Sequence, residues 1–314
     1  MHLLIPYAAS HAKACVALLP GLKLPYLQKL STCLAAQARD FGNEMSWSPP
    51  HERALAGAMG LPVTDGQLPW AALEASKRPE LAHLQGAWAF VTLCHWRATT
   101  HEVTMRQIPM RDLSAAESDT LLAAMQPFFT QDSITLYPSE AGRWLAHGRV
   151  FDGLPSASPD RVLGRNLSPW MPTATQASTL IRLVSEMQML LYTHPINDAR
   201  EARGALTVNA IWFSGTGALP DSRPNPAPAH PVMTPTLREA ALQDDWASWA
   251  SAWHQIDATQ VRQMLDAQTR GESVQLTLCG ERHAQSWVSQ TPTLKQKIRN
   301  IFGAPPIQGT LEQL

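Results

Sequence analysis

The sequence predicts an α/β fold on three observations. Short β-type runs alternate with segments of helical period along all 314 residues. The run GAWAFVTLCHW, Gly86 to Trp96, is apolar enough for a strand buried on both faces. Gln176 to Tyr192 places Leu180, Leu183, Val184, Met187, Leu190 and Leu191 at helical spacing, a broad face that needs a sheet or other helices to cover it. Hydrophobic residues make up 45% of the chain, enough at this length for one large domain or a core domain carrying an insertion.

In chain order, His2 to Ile5 is a buried first strand, and Leu24 to Arg39 a helix with Leu27, Leu30, Leu34 and Ala38 on one face. Pro50 to Met59 forms a second helix closed by Gly60. After the Gly86 to Trp96 strand, Glu102 to Ile108 alternates as a strand with one wet face does. Ser114 and Glu117 stand at capping-box spacing, each side chain able to satisfy the other's backbone N–H, and open a helix to about Gln126. The helix of Gln176 to Tyr192 leads to a Pro195-led helical turn stopped by Gly204, then to a strand at Val208 to Phe213.

Six prolines between residues 219 and 236 exclude helix and predict an extended linker, or a ligand for a proline-binding module. Leu237 to Gln255 follows as a helix with Trp246, Trp249 and Trp253 on one stripe, which reads as core or as a partner interface. Stacking on bases would need basic companions that the stripe lacks. Ala258 to Thr269 is a further helix ending before Gly271, Ser273 to Gly280 a last strand, and Leu294 to Phe302 a short basic terminal helix.

Composition narrows the partners. A formal charge of −1 leaves no basic field of the kind that neutralises phosphate backbones or anionic lipid, so neither nucleic acid nor a membrane surface is an expected partner. Cys15, Cys33, Cys94 and Cys279 lie far apart without a C-x-x-C pair, which fits small buried thiols in a reducing cytosol and not a zinc site or disulfide framework. The first residues lack a basic leader, and no apolar run reaches the roughly 18 residues of a membrane helix, so a soluble cytoplasmic protein is expected.

Polar residues concentrate between Thr193 and Gly217. Read alone, His194, Asn197, Arg200 and Arg203 supply donors, while Gly215 and Gly217 would let backbone N–H groups approach an anion at the carboxyl end of a strand. The packing alternative has Asn197 and Asn209 stapling a tight corner and Arg200 pairing with Asp198 or Glu201. Arg165 and Asn166 complete the candidate corner, which is either a ligand pocket or a structural lock. No Walker lysine and no G-x-S-x-G elbow occurs in the chain.

The segment HPINDAREARGALTVNAIWFSGTG resembles the H-P-x-N-x-x-R, Gly, A-N-x-x-L-L-R-G-x-G stretch of archaeal-type cofactor-independent phosphoglycerate mutases, members of the alkaline phosphatase superfamily. LPYLQKL at Leu24 to Leu30 and PPHERALAGAMGLP at Pro49 to Pro62 resemble further segments of that family, and GAWAFVTLCHW its lid-opening strand. With GRNLSPW at Gly164 to Trp170 and LTLCGER at Leu276 to Arg282, the pattern resembles still more the proteobacterial RpfE-type regulatory proteins. The resemblance implies an alkaline-phosphatase-like three-layer α/β core, residues 1–85 and 161–314, with a smaller lid-like α+β insertion at 86–160.

That family's phosphoryl transfer needs a Ser or Thr nucleophile and two divalent metals held by Asp and His. The resemblance sets Tyr7 where the family has its first metal-binding Asp, His51 at the nucleophilic serine, Cys279, Glu281 and His283 at the late Asp-His pair, and Ser214 at the substrate-side arginine. The implied protein is a non-catalytic regulatory or ligand-sensing one without cofactor. Its expected partners are a small phosphorylated metabolite and a protein. The alternative is an enzyme on such a metabolite with a non-standard site drawn from His51, Glu52, His194, Glu281 and His283. A first-turn His51 beside Glu52 serves equally well as a plain helix start.

Overall fold

A computed structural model describes residues 1–109, 112–173, 177–220, 230–289 and 306–314. The expected Leu294 to Phe302 helix, Gln176 at the start of its helix, and the linker stretch 221–229 lie outside the described residues. The fold is mixed α/β, as the alternation predicts. Its strands are β1 (His2–Ile5), β2 (Leu34–Ala36), β3 (Asp40–Phe41), β4 (Ala87–Ala98), β5 (Val103–Gln107), β6 (Thr135–Glu140), β7 (Arg143–His147), β8 (Ala210–Ala218), β9 (Val232–Met233), β10 (Gln275–Cys279) and β11 (His283–Ser289). No helix among the described residues is long and apolar enough to cross a membrane.

The chain divides into two compact units, Met1–Gly60 with Pro224–Leu314, and Leu61–Arg223. The division differs from the expected insertion at 86–160. The cause is strand pairing: β8 runs antiparallel along β4 from Ala87–Ala218 to Cys94–Ala210, so β8 and the helices before it belong with β4.

The first unit holds a mixed sheet in the order β2-β11-β10-β1-β9, with β1 parallel to β10 and β9 and antiparallel pairing of β10 with β11. Alternation along the strands gives it two faces. Leu3, Ile5, Leu276, Leu278 and Trp287 pack in one core with Leu27 and Leu30 of the Pro25–Cys33 helix, Trp249 and Trp253 of Trp246–Ile256, and Met264 and Leu265 of Arg262–Thr269. On the opposite face Leu4, Cys279 and Ala284 meet Ala54 and Leu55 of the Pro50–Ala58 helix. This unit is therefore three layers deep.

Two expected helices are cut short. The helix predicted to reach Arg39 ends at Cys33, and Leu34 to Ala36 pair with Ser289 to Trp287 at a sheet edge. Leu34 is buried in the strand as the helical reading also required of it, so apolar spacing could not separate the two. The predicted Leu237 to Gln255 helix breaks at Asp244, whose φ of 54° interrupts it, and Asp245 accepts from Ser248 N–H to cap the Trp246–Ile256 helix. Trp249 and Trp253 are fully buried and donate their indole N–H to the carbonyls of Tyr7 and Ala8. The tryptophan stripe is thus core, not a partner surface.

The second unit has β4 at its centre, with β8 along one edge and β5 and β7 sharing the other, all antiparallel. One face packs on the Ala115–Gln131 and Ser178–Tyr192 helices through Val91, Leu93, Leu121, Met125, Leu183 and Met187. The other takes Trp88 and Phe90 against the Trp70–Ser76 helix. The Ser114 to Glu117 capping box forms with both reciprocal bonds. Its helix passes through Pro127 to Gln131, beyond the expected end, because Leu121, Met125 and Phe129 form one fully buried row. Burying Phe129 contributes about 2 kcal/mol, a sizeable offset to the proline's cost of roughly 3.

Candidate functional site

The polar corner lies in the second unit, and its side chains bind backbone. Asn197, on the Pro195–Ala202 helix, donates to the carbonyls of Leu191 and Val208 at 2.8 and 2.7 Å and accepts Val208 N–H at 2.9 Å. One amide so joins the end of one helix to the approach of β8. Asn209 does the same across strands, accepting from Trp96 N–H at 2.6 Å and donating to its carbonyl at 2.9 Å. His194 caps the Pro195–Ala202 helix, its Nδ1 accepting Ile196 N–H at 3.3 Å.

Arg200 is the most buried charge here, with no exposed surface. Its Nε donates to Leu206 O and its Nη1 to Asp112 O, both at 2.8 Å, and Nη1 stands 3.3 Å from Glu117 Oε1. Arg203 reaches the same oxygen at 2.7 Å. Burial would raise the Glu117 carboxyl, but hydrogen bonds from Ser114 N–H, Arg203 and the Ser114 hydroxyl outweigh it and hold it down at about 2. The expected pairing of Arg200 with Asp198 or Glu201 is replaced by this partner 83 residues away. Neither Glu117's second role nor Asp112 was legible, because the capping box accounts for Glu117 within its own turn.

The remaining members sit elsewhere in the unit. Asn166 bridges to Thr104 of β5, and its side chain accepts Ser168 N–H at 3.1 Å in an Asx turn; Arg165 beside it is exposed. Gly215 and Gly217 were expected in a loop beyond a strand, but both lie inside β8, where the register against β4 shifts between Trp88 and Phe90. Gly215 has a φ of 62°, and a Cβ there would come within 3.0 Å of Phe90 and 3.1 Å of Trp70. Conformation and close packing explain this glycine. Ser214 is buried at the preceding position.

Apart from His194 in the second unit, the alternative-enzyme residues lie in the first unit around the carboxyl ends of β1 and β10. Tyr7 follows β1 with a φ of 52°, and its ring lies 5.6 Å from that of His51, which is 4% exposed at the start of its helix. Glu52 is in the first turn of that helix, where its charge complements the dipole. Arg53 is more firmly placed: its Nε and Nη2 meet Asp40 Oδ2 at 2.9 and 2.8 Å, and its Nη1 donates to Ser48 O at 2.6 Å. Sequence reasoning missed this pair, whose acid lies on a two-residue strand.

Glu281 accepts His11 N–H at 3.1 Å and stands 3.7 Å from the His11 ring. His283 opens β11 with its ring edge-on to Phe41, 5.4 Å away, and its buried Nδ1 has no hydrogen-bond partner among the described residues. Burial, then the charges of Arg39, His11 and Arg282, hold the His283 ring below the usual imidazole range. Cys279 is fully buried, and burial pushes its thiol far up, so it stays protonated and is a poor metal ligand.

These donors do not fit a pair of catalytic divalent metals. Among the described residues no three His, Cys, Asp or Glu side chains are grouped to hold a metal. At Tyr7 the carbonyl is taken by the Trp249 indole and the ring by packing on His51. The side chain at that position is a phenol and not a carboxylate.

No known family profile matches the chain. Over 85 residues it is 28% identical to the 2,3-bisphosphoglycerate-independent phosphoglycerate mutase of Methanothrix thermoacetophila, a match to 27% of this chain and 22% of that one. The matched stretch thus spans about a fifth of that relative. Among solved structures, the cofactor-independent phosphoglycerate mutase of Thermoplasma acidophilum aligns over 100% of this chain and 99% of its own at 13% identity and a TM-score of 0.39. The PH0037 protein of Pyrococcus horikoshii aligns over 93% and 88% at 13% identity and a TM-score of 0.47. The sequence similarity to a 2,3-bisphosphoglycerate-independent phosphoglycerate mutase is thus distant and confined to the 85 matched residues.

Proposed function

We propose that this is a non-catalytic regulatory or ligand-sensing protein on a degenerate phosphoglycerate-mutase-like scaffold of the alkaline phosphatase type, allied to the RpfE-type regulators and working in the cytoplasm. One observation carries the reading. The place where the mutase resemblance calls for a metal-binding carboxylate is built as core, with the Tyr7 carbonyl under Trp249 and its ring on the buried His51. A phosphoryl group arriving there would meet a phenol and an imidazole in place of two metals and a serine. The ligand of such a sensor is a small phosphorylated metabolite, and its output passes to a protein partner.

The experiment is a thermal-shift screen of phosphometabolites beside metal analysis of the purified protein. Saturable stabilisation without turnover is the expected result, since a ligand that binds only the folded state raises the midpoint with its concentration. Stoichiometric manganese or zinc, with phosphotransfer lost on His51→Ala or His283→Ala, overturns the reading. It would establish instead an enzyme of non-standard site, which the lowered ionisation of His283 favours.

A further inference from the structure

The geometry points to a self-occluding contact in the first unit: residues Ile307–Leu314 occupy the turn after β10 and close it to anionic ligands. In a sheet with parallel strands, ligands enter beyond the strands' carboxyl ends. Here that edge is the turn Gly280–Arg282, between β10 and β11, closed by a bond from Gly280 N–H to the His283 carbonyl. Two successive backbone N–H groups, of Arg282 and His283, point out of it. Such a pair can receive a carboxylate or phosphate oxygen. In this protein both donate to the main-chain oxygen of Leu314, at 3.3 and 2.9 Å.

The fit is specific on both sides. A Cβ on Gly280 would fall 2.5 Å from that oxygen and 2.6 Å from the Leu314 Cβ. The φ of Gly280 is not among the positive ones, so space and not conformation requires glycine here. The occupying segment is anchored along its length. Ile307 N–H donates to Gln28 Oε1 at 2.7 Å, Gln308 Nε2 to Leu22 O at 2.8 Å, and Arg39 to Gln313 Oε1 at 3.1 Å. Ile307, Leu311 and Leu314 are each at most 3% exposed and join the main core of the unit.

The segment therefore stands where a ligand's oxygen would, held by the unit's own packing. A phosphorylated metabolite enters this edge only when the segment leaves. The inference rests on the backbone bonds and close packing at this turn and does not depend on the regulatory reading.

Amide hydrogen exchange with an inorganic phosphate titration, followed by NMR on the full chain, tests it. In the wild type the Arg282 and His283 amides should exchange as slowly as those of Leu276 and Leu278 and be indifferent to phosphate. Gly280→Ala should speed their exchange by about 100-fold through local opening and make both amides shift saturably with phosphate. Fast wild-type exchange, wild-type shifts with phosphate, or unchanged protection in a folded Gly280→Ala protein overturns the proposal. Should Gly280→Ala not fold, the Gln28→Ala, Arg39→Ala double variant removes two anchors at a distance from the turn, and the same two readouts decide.

Discussion

Arg200 shows how little of a buried side chain's role is written in its neighbourhood. The sequence marked it as a donor near an anion loop or as a partner of Asp198 or Glu201. The structure directs it to two carbonyls and to Glu117 instead. Two of these partners, Asp112 and Glu117, come from another helix and the loop before it, which no local pattern displays. Two substitutions separate the buried arginine from its exposed companion. Arg200→Leu strands two carbonyls and should cost about 3 kcal/mol in urea unfolding. Arg203→Leu removes a half-exposed partner of the same carboxylate and should cost under about 1 kcal/mol. Equal losses would show that the pair act as one surface charge cluster and that Arg200 is not the lock. Gly215→Ala belongs at this scale too. Its positive φ and the contact with Phe90 should together cost about 1–3 kcal/mol.

At the scale of elements, the sequence was most readable where a local rule is self-contained. β1 was expected at His2 to Ile5 and lies there, and the capping box forms with both bonds the spacing predicts. Ser114→Ala should therefore lower stability by about 1 kcal/mol, measured as the urea midpoint, and Ser114→Asp should restore most of it; no loss on Ser114→Ala would mean the helix start is held by packing alone. Reading failed where long-range pairing competes with local propensity. Leu34 to Ala36 turn from helix to strand because β11 offers an edge from far downstream, and β8 swallows the Ser-Gly-Thr-Gly run because β4 is long enough to pair with it. β6 and β7 were not foreseen, since their pairing with each other and with β4 depends on register rather than composition. The candidate site fared likewise. Residues of the polar corner were named from the sequence, but that their amides and guanidinium serve backbone, and that Asn166 sits apart beside β5, is information only the pairing supplies.

For the molecule as a whole, each unit carries a titrating group that ties its stability to pH, and the two respond in different windows. His2 lies on the β1 face with Nε2 3.0 Å from Thr277 Oγ1; burial first, and the N-terminal ammonium second, lower its ring to about 4 from the usual value near 6.5. The folded first unit refuses a proton that the unfolded chain accepts, so its stability is whole above about pH 6.5 and falls as pH drops toward 4. Glu117 in the second unit is held at about 2 against an ordinary 4.5, so its contribution is whole above about pH 4.5 and lost as pH falls toward 2. Acidification should therefore weaken the protein in two stages, the first assigned to His2 together with His283, whose ring is also held low, and the second to the capping box. Urea midpoints measured at pH 7, 4.5 and 2.5 on the wild type, His2→Gln and Glu117→Gln separate them. His2→Gln should flatten the fall between pH 7 and 4.5 and leave the lower one intact, while Glu117→Gln should lower the midpoint at pH 7 and flatten the fall below 4.5. If His2→Gln keeps the full loss between pH 7 and 4.5, the sensitivity lies in His283 or other histidines, and the burial of His2 does not set the unit's response to acid.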